Sequence, residues 1–127
     1  MVVDCMDQQV NIVVYPDTVK LMNWVAAQVN GIQIGRAMII KLEAGGTVGL
    51  HTDTGEYFDI HSRFHIPIKT NPGVVFGDSA ANMHDHMPVQ TLCKLNNRAP
   101  HQLQNNGTDF RVHLLIDVAC IGGNQLF

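Results

Sequence analysis

The residues that usually build a solvated surface are scarce in this chain of 127 residues, which has four Lys and only two Glu. No run of like charge occurs, and no apolar stretch approaches the ~20 residues that span a bilayer. With a formal net charge of −3 the chain lacks the basic footprint that holds a phosphate backbone, so nucleic acid is not an expected partner. The first seven residues carry two acids and no basic leader, which makes a soluble, cytoplasmic protein the expectation. Cys5, Cys93 and Cys120 form an odd set without a CxxC pair, and are expected to be reduced structural thiols of a non-oxidising compartment. Internal repeats, linkers and low-complexity tracts are absent as well. The expectation is one domain over residues 1–127, long enough to bury roughly two-thirds of its unfolded surface.

What the chain does have is seven His and nine Asp among 46% hydrophobic residues. A β-branched run, Val10 to Tyr15, leads to Pro16-Asp17-Thr18, a helix-start signal. Val19, Met22, Val25, Ala26 and Val29 then recur at helical spacing up to Asn30-Gly31, which predicts one helix of about four turns. Beyond it the texture is short β-rich runs between turn signals: Ile34–Leu42, Val48–Asp53, Ile60–Lys69, Val74–Phe76, Thr91–Leu95, His101–Gln104 and Phe110–Val118. That spacing predicts a mainly β sandwich or barrel, best read as a jelly roll with the N-terminal helix packed outside.

Two strands alternate in an unusual way. Arg63 and His65 share one face while Phe64, Ile66 and Ile68 share the other; later Arg111, His113 and Leu115 oppose Val112, Leu114 and Ile116. A half-exposed antiparallel strand has the same rhythm, but Lys, Thr and Glu usually fill its polar side.

His51-Thr52-Asp53 follows an apolar run and a Gly-Gly turn, and on extended backbone its His and Asp project from one face about 7 Å apart. His101, after Pro100 at the start of another strand, is the best candidate for a third ligand. Two imidazoles and one carboxylate form the facial set that leaves positions open on Fe(II). Arg supplies the bidentate fork that a dicarboxylate chelating such a metal needs at its far end. Arg111 follows His101 by ten residues, and a hairpin of that length would bring it back beside His101. Arg63 and His65 could hold the inner carboxylate or orient a metal ligand; the plainer reading of Arg63 is a surface salt bridge, to Asp59 for instance.

These residues resemble the aspartyl/asparaginyl β-hydroxylase branch of the Fe(II)/2-oxoglutarate dioxygenases, which includes proline cis-hydroxylases. The resemblance is carried by His51-x-Asp53, by Arg63-x-His65-Ile66-Pro67-Ile68-x-Thr70-Asn71, by Leu95-Asn96-Asn97-x-x-Pro100-His101-x-x-x-Asn105, and by Arg111-Val112-His113-Leu114-Leu115-Ile116-Asp117. It implies a double-stranded β-helix, cupin-like in form, with Fe(II) held by His51, Asp53 and His101. It also implies 2-oxoglutarate as cosubstrate, with Arg111 on its distal carboxylate and Arg63 with His65 near its chelating end. Together with O₂ these would hydroxylate an aliphatic carbon of an amino acid or of a peptide Asp, Asn or Pro side chain, releasing succinate and CO₂. The family's Gly-Glu-x-Trp stretch is replaced here by Val89-Gln90-Thr91-Leu92. The chain ends ten residues after Asp117, so specificity toward a small-molecule or peptide substrate is expected from loops Thr54–Asp59 and Asp78–Met87.

His84-Asp85-His86 reads as a solvated rim loop, a substrate-facing lid or a rival metal pair, and His61 and His113 as pocket lining or hydrogen-bonded structural residues. Asp117 could orient a neighbour or end its strand, and Asn105 could meet the cosubstrate or hold its turn. Two other classes share the architecture: a cupin-like metalloenzyme without 2-oxoglutarate, whose HxH-then-Glu pattern is missing here, and a non-catalytic ligand-binding barrel. Oligomeric state has no sequence signal.

Overall fold

Short β-branched runs separated by turn residues leave the chain little choice but to pair strands, and the computed structural model consists of two antiparallel sheets and two helices. It describes residues 3–9 and 18–124, residues 7–9 by their backbone alone; the expected strand Val10–Tyr15 and the Pro16-Asp17 lead into the helix lie outside the described residues. The order is β1 (Val3–Gln9), α1 (Thr18–Gln28), β2 (Gly31–Leu42), β3 (Thr47–His51), α2 (Glu56–Ile60), β4 (His61–Lys69), β5 (Val74–Gly77), β6 (Thr91–Leu95), β7 (His101–Asn105) and β8 (Arg111–Cys120). Five strands pair as β1-β6-β4-β8-β2 and three as β3-β7-β5. No helix among the described residues is long and apolar enough to cross a membrane.

The helix ends where the sequence predicts, with Asn30 at φ 55°, the left-handed turn that Asn tolerates. Its buried stripe is shifted from the expected one: Leu21 and Val25 are buried, whereas Val19 is exposed. They pack with Phe64, Ile66, Leu92, Leu114, Ile116 and Val118, the apolar sides of β4, β6 and β8. Ile68, expected on that face, is exposed near the strand end. A second cluster, with Val3, Val74, Phe76, Met87, Cys93, Leu95 and Leu103, draws on both sheets. The His/Arg faces of β4 and β8 therefore turn toward the other sheet, not toward water, because their apolar faces are taken by α1.

Three expectations need correction. Cys5 and Cys93 are joined in a disulfide, leaving Cys120 as the free thiol. The cause is cross-strand register: β1 and β6 pair with Cys5 directly opposite Cys93, which removes the argument from the cysteines to a reducing compartment. The segment after His101 is no hairpin, since β7 pairs with β3 and β5 while β8 pairs with β2 and β4. The chain changes sheets between them, so β7 and β8 belong to facing layers. Finally, the expected loop Thr54–Asp59 is helical from Glu56, as the first four residues of α2.

Candidate metal centre

Strand pairing assembles the site. His51 ends β3 and lies opposite His101, the first residue of β7, their ring centroids 4.2 Å apart. Asp53 follows β3 and is held by its own backbone N–H, which donates to the Asn97 carbonyl at 2.9 Å. One ligand atom from each of His51, Asp53 and His101 lies within 4.8 Å of the other two, close enough to share one ion.

The hydrogen bonds decide which atoms are left for a metal. His51 Nδ1 lies 2.7 Å from the Gly49 carbonyl and His101 Nδ1 2.9 Å from that of Ala99. A carbonyl only accepts, so each ring carries its proton on Nδ1 and keeps a lone pair on Nε2. Asp53 Oδ2 accepts from Asn97 Nδ2 at 3.0 Å and faces Arg63 Nη1 at 3.9 Å, while Oδ1 points at His51 Nε2, 3.6 Å away. Burial holds the His101 imidazole below its ordinary range, favouring the neutral form that ligates.

A cavity of about 140 Å³ opens on these three groups, and Arg63, His65 and Arg111 line it together with apolar residues such as Ile40, Phe76 and Leu115. All six residues singled out from the sequence thus border one space. Arg63 is committed in part: Nε and Nη2 donate to Asp117 Oδ1 and Oδ2 at 2.8 and 2.9 Å, from the directly opposed position on β8. This fork raises the guanidinium pKa and leaves Nη1 toward Asp53. Asp59, the alternative partner, pairs instead with Arg98.

Arg111 differs. It is 2% exposed, and its Nε and Nη1 have no hydrogen-bond partner. Desolvation alone lowers its pKa, to about 10, so it remains a cation at neutral pH. A buried unpaired guanidinium is costly, and a carboxylate entering the cavity would answer it. The donor set and this cation together fit a metal accompanied by an acidic ligand.

The other histidines divide. His61 stacks on Tyr57 and its Nδ1 meets the Tyr57 carbonyl, so it packs against α2 and does not line the cavity. His113 is buried behind His65. His84 and His86 border a separate cleft with Asp4 and Cys5, and no residue of 78–87 lines the cavity; Asp85 pairs with Phe76 and Met87 is core. Asn105 holds its turn, Nδ2 donating to the carbonyls of Leu42 and Asp109. Sequence reasoning missed Asn97, which orients Asp53, and Tyr57, whose hydroxyl donates to Asp117 at 2.8 Å. The Asn-Asn turn was visible, but only strand pairing shows what it touches.

A family model described as aspartyl/asparaginyl β-hydroxylase matches residues 6–120. The fold resembles a nickel complex of the non-haem monooxygenase ThoJ (TM-score 0.57, 14% identity, 79% of this chain and 49% of that one). It also resembles an oxidoreductase of the 2OG-Fe(II) oxygenase family from Burkholderia pseudomallei (0.58, 14%, 84% and 53%). A third similar structure is a Pseudomonas putida prolyl-4-hydroxylase (0.56, 12%, 93% and 71%). At such identities the likeness shows the fold alone, and the chain spans about half the length of the first two. No curated protein matches the sequence.

Proposed function

The chain belongs to the aspartyl/asparaginyl β-hydroxylase family, and from that membership we propose that it is an Fe(II)- and 2-oxoglutarate-dependent dioxygenase. Its substrate is an aliphatic carbon of an amino acid or of a peptide Asp, Asn or Pro side chain, and the two sheets are those of a double-stranded β-helix forming one catalytic domain. When bound, iron with 2-oxoglutarate and O₂ supplies the oxidising chemistry, one oxygen atom going to the substrate and one to succinate as CO₂ leaves.

The chain's own residues do the rest. His51 Nε2, Asp53 Oδ1 and His101 Nε2 hold the metal on one side, which leaves adjacent positions for ligands. Arg111 binds the far carboxylate of 2-oxoglutarate with the nitrogens that have no protein partner. His65 and Arg63 flank the chelating end, and Arg63 also keeps Asp53 Oδ2 occupied so that Oδ1 faces the metal. Apolar lining keeps water from the remaining volume.

The observation that carries this reading is a buried, unpaired guanidinium bordering the same cavity as a His/Asp/His set. Protein incubated with Fe(II), ascorbate and 2-oxoglutarate under air should form succinate even without substrate. Asp53→Ala and His101→Ala should lose iron, and Arg111→Ala should lose 2-oxoglutarate binding while keeping iron. Undiminished iron in the first two would overturn the ligand set; 2-oxoglutarate that neither binds nor raises the melting temperature would overturn the oxygenase.

A further inference from the structure

His65 and His113 form a buried pair that the metal chemistry does not explain. They lie diagonally across the β4–β8 ladder, where Pro67 is opposite His113 and His65 opposite Leu115, so both side chains share the inner face. Their Nδ1 atoms are 3.0 Å apart, the rings are 4% and 0% exposed, and the Nε2 atom of each has no partner. Only His65 borders the cavity; His113 is packed beside Phe76.

Burial holds both imidazoles below their ordinary range, and the neighbouring Arg111 charge acts in the same direction, so both rings are neutral. Two neutral rings carry two protons on four nitrogens. One proton must lie between the facing Nδ1 atoms, since two lone pairs at that distance repel. The other is then on Nε2 of whichever ring accepts. If His113 accepted, its Nε2–H would be buried without an acceptor, and His65 would turn a lone pair toward the cavity. If His65 accepts, the end of the pair at the cavity-lining residue is an N–H that a ligand can use, and the His113 end is a lone pair, the cheaper group to leave unpaired.

We propose that His113 is a positioning residue: its Nδ1–H donates to His65 Nδ1, which sets the tautomer in which His65 presents Nε2–H to a carboxylate in the cavity. The proposed function enters only through the identity of that carboxylate as 2-oxoglutarate.

Histidine-¹⁵N spectra of the protein loaded with diamagnetic Zn(II) test the assignment directly. His65 should be protonated on Nε2 and His113 on Nδ1; the reverse pattern overturns the proposal. His113→Leu should weaken 2-oxoglutarate binding to the Zn(II) form about tenfold, with Zn(II) affinity unchanged, because His113 touches no ligand of the metal. His113→Asn, whose amide N–H can take the place of Nδ1–H, should restore most of that loss. Wild-type affinity in His113→Leu, or no recovery in a folded His113→Asn, also overturns it. If the wild-type protein binds no 2-oxoglutarate, the oxygenase reading fails and the tautomer spectra alone decide the role of His113.

Discussion

Arg111 and the two inner histidines show how single residues here can carry a cost for the fold. Nε and Nη1 of the guanidinium have no hydrogen-bond partner, and no described carboxylate pairs with it. Arg111→Met should therefore stabilise the ligand-free protein by about 2 kcal/mol, read from urea unfolding, and should abolish any rise in melting temperature on adding 2-oxoglutarate. Histidine burial sets a pH dependence of definite sign. Burial pushes His113 down to about 3, and it lowers His65 and His101 too, whereas an unfolded chain's imidazole titrates near 6.5. As pH falls through that window the unfolded chain takes up protons that the folded one refuses. The stability these groups contribute is complete above about pH 6.5 and is lost on acidification, by up to about 1.4 kcal/mol per pH unit for each histidine. Urea midpoints between about pH 7 and 4.5 should trace this loss, with a shallower slope in His113→Asn. The residue types of the site were legible in the sequence; the hydrogen bonds that select His51 Nε2 or Asp53 Oδ1 were not, since their partners come from backbone turns and from Asn97.

Among the elements, β1 is covalently tied to its neighbour. It lies at the edge of the five-stranded sheet, joined to β6 by the Cys5–Cys93 disulfide, and none of its described side chains, Val3 to Met6, lines the candidate metal cavity. The cysteines are separated by 88 residues, so cross-linking them removes much unfolded-chain entropy, about 4–5 kcal/mol in the chain-entropy account. Reduction should lower the unfolding free energy by that order while leaving Zn(II) affinity intact. Thiol titration of the denatured protein should count one reactive group before reduction and three after. Neither β1 nor α2 was legible. Val3–Gln9 has no clean alternation, and five residues are too few to establish a helical period. By contrast α1, β4 and β8 carry enough residues for periodicity to show, and their limits lie within a residue or two of the expected ones.

At the scale of the molecule, the five-stranded sheet separates two kinds of interior. One face packs against α1 through Phe64, Ile66, Leu92, Leu114, Ile116 and Val118; the other looks toward the three-stranded sheet and holds Arg63, His65, Arg111, His113 and Asp117. Leu21→Ala, on the helix side, should cost about 3 kcal/mol in unfolding and leave Zn(II) and 2-oxoglutarate affinity unchanged. Leu103→Ala, between the sheets and lining the cavity, should alter stability and ligand affinity together. The amino-acid sequence by itself determined that β4 and β8 each have an apolar and a His/Arg side, and that His51 and Asp53 project together, because side-chain alternation is a local property of extended backbone. Only the tertiary structure decided that the polar sides are interior. It also paired His101 with His51 across β3 and β7, opposed Arg63 to Asp117 and Cys5 to Cys93, and set His113 behind His65. Those meetings depend on strand register and sheet stacking between residues far apart in the chain, and no local periodicity encodes them.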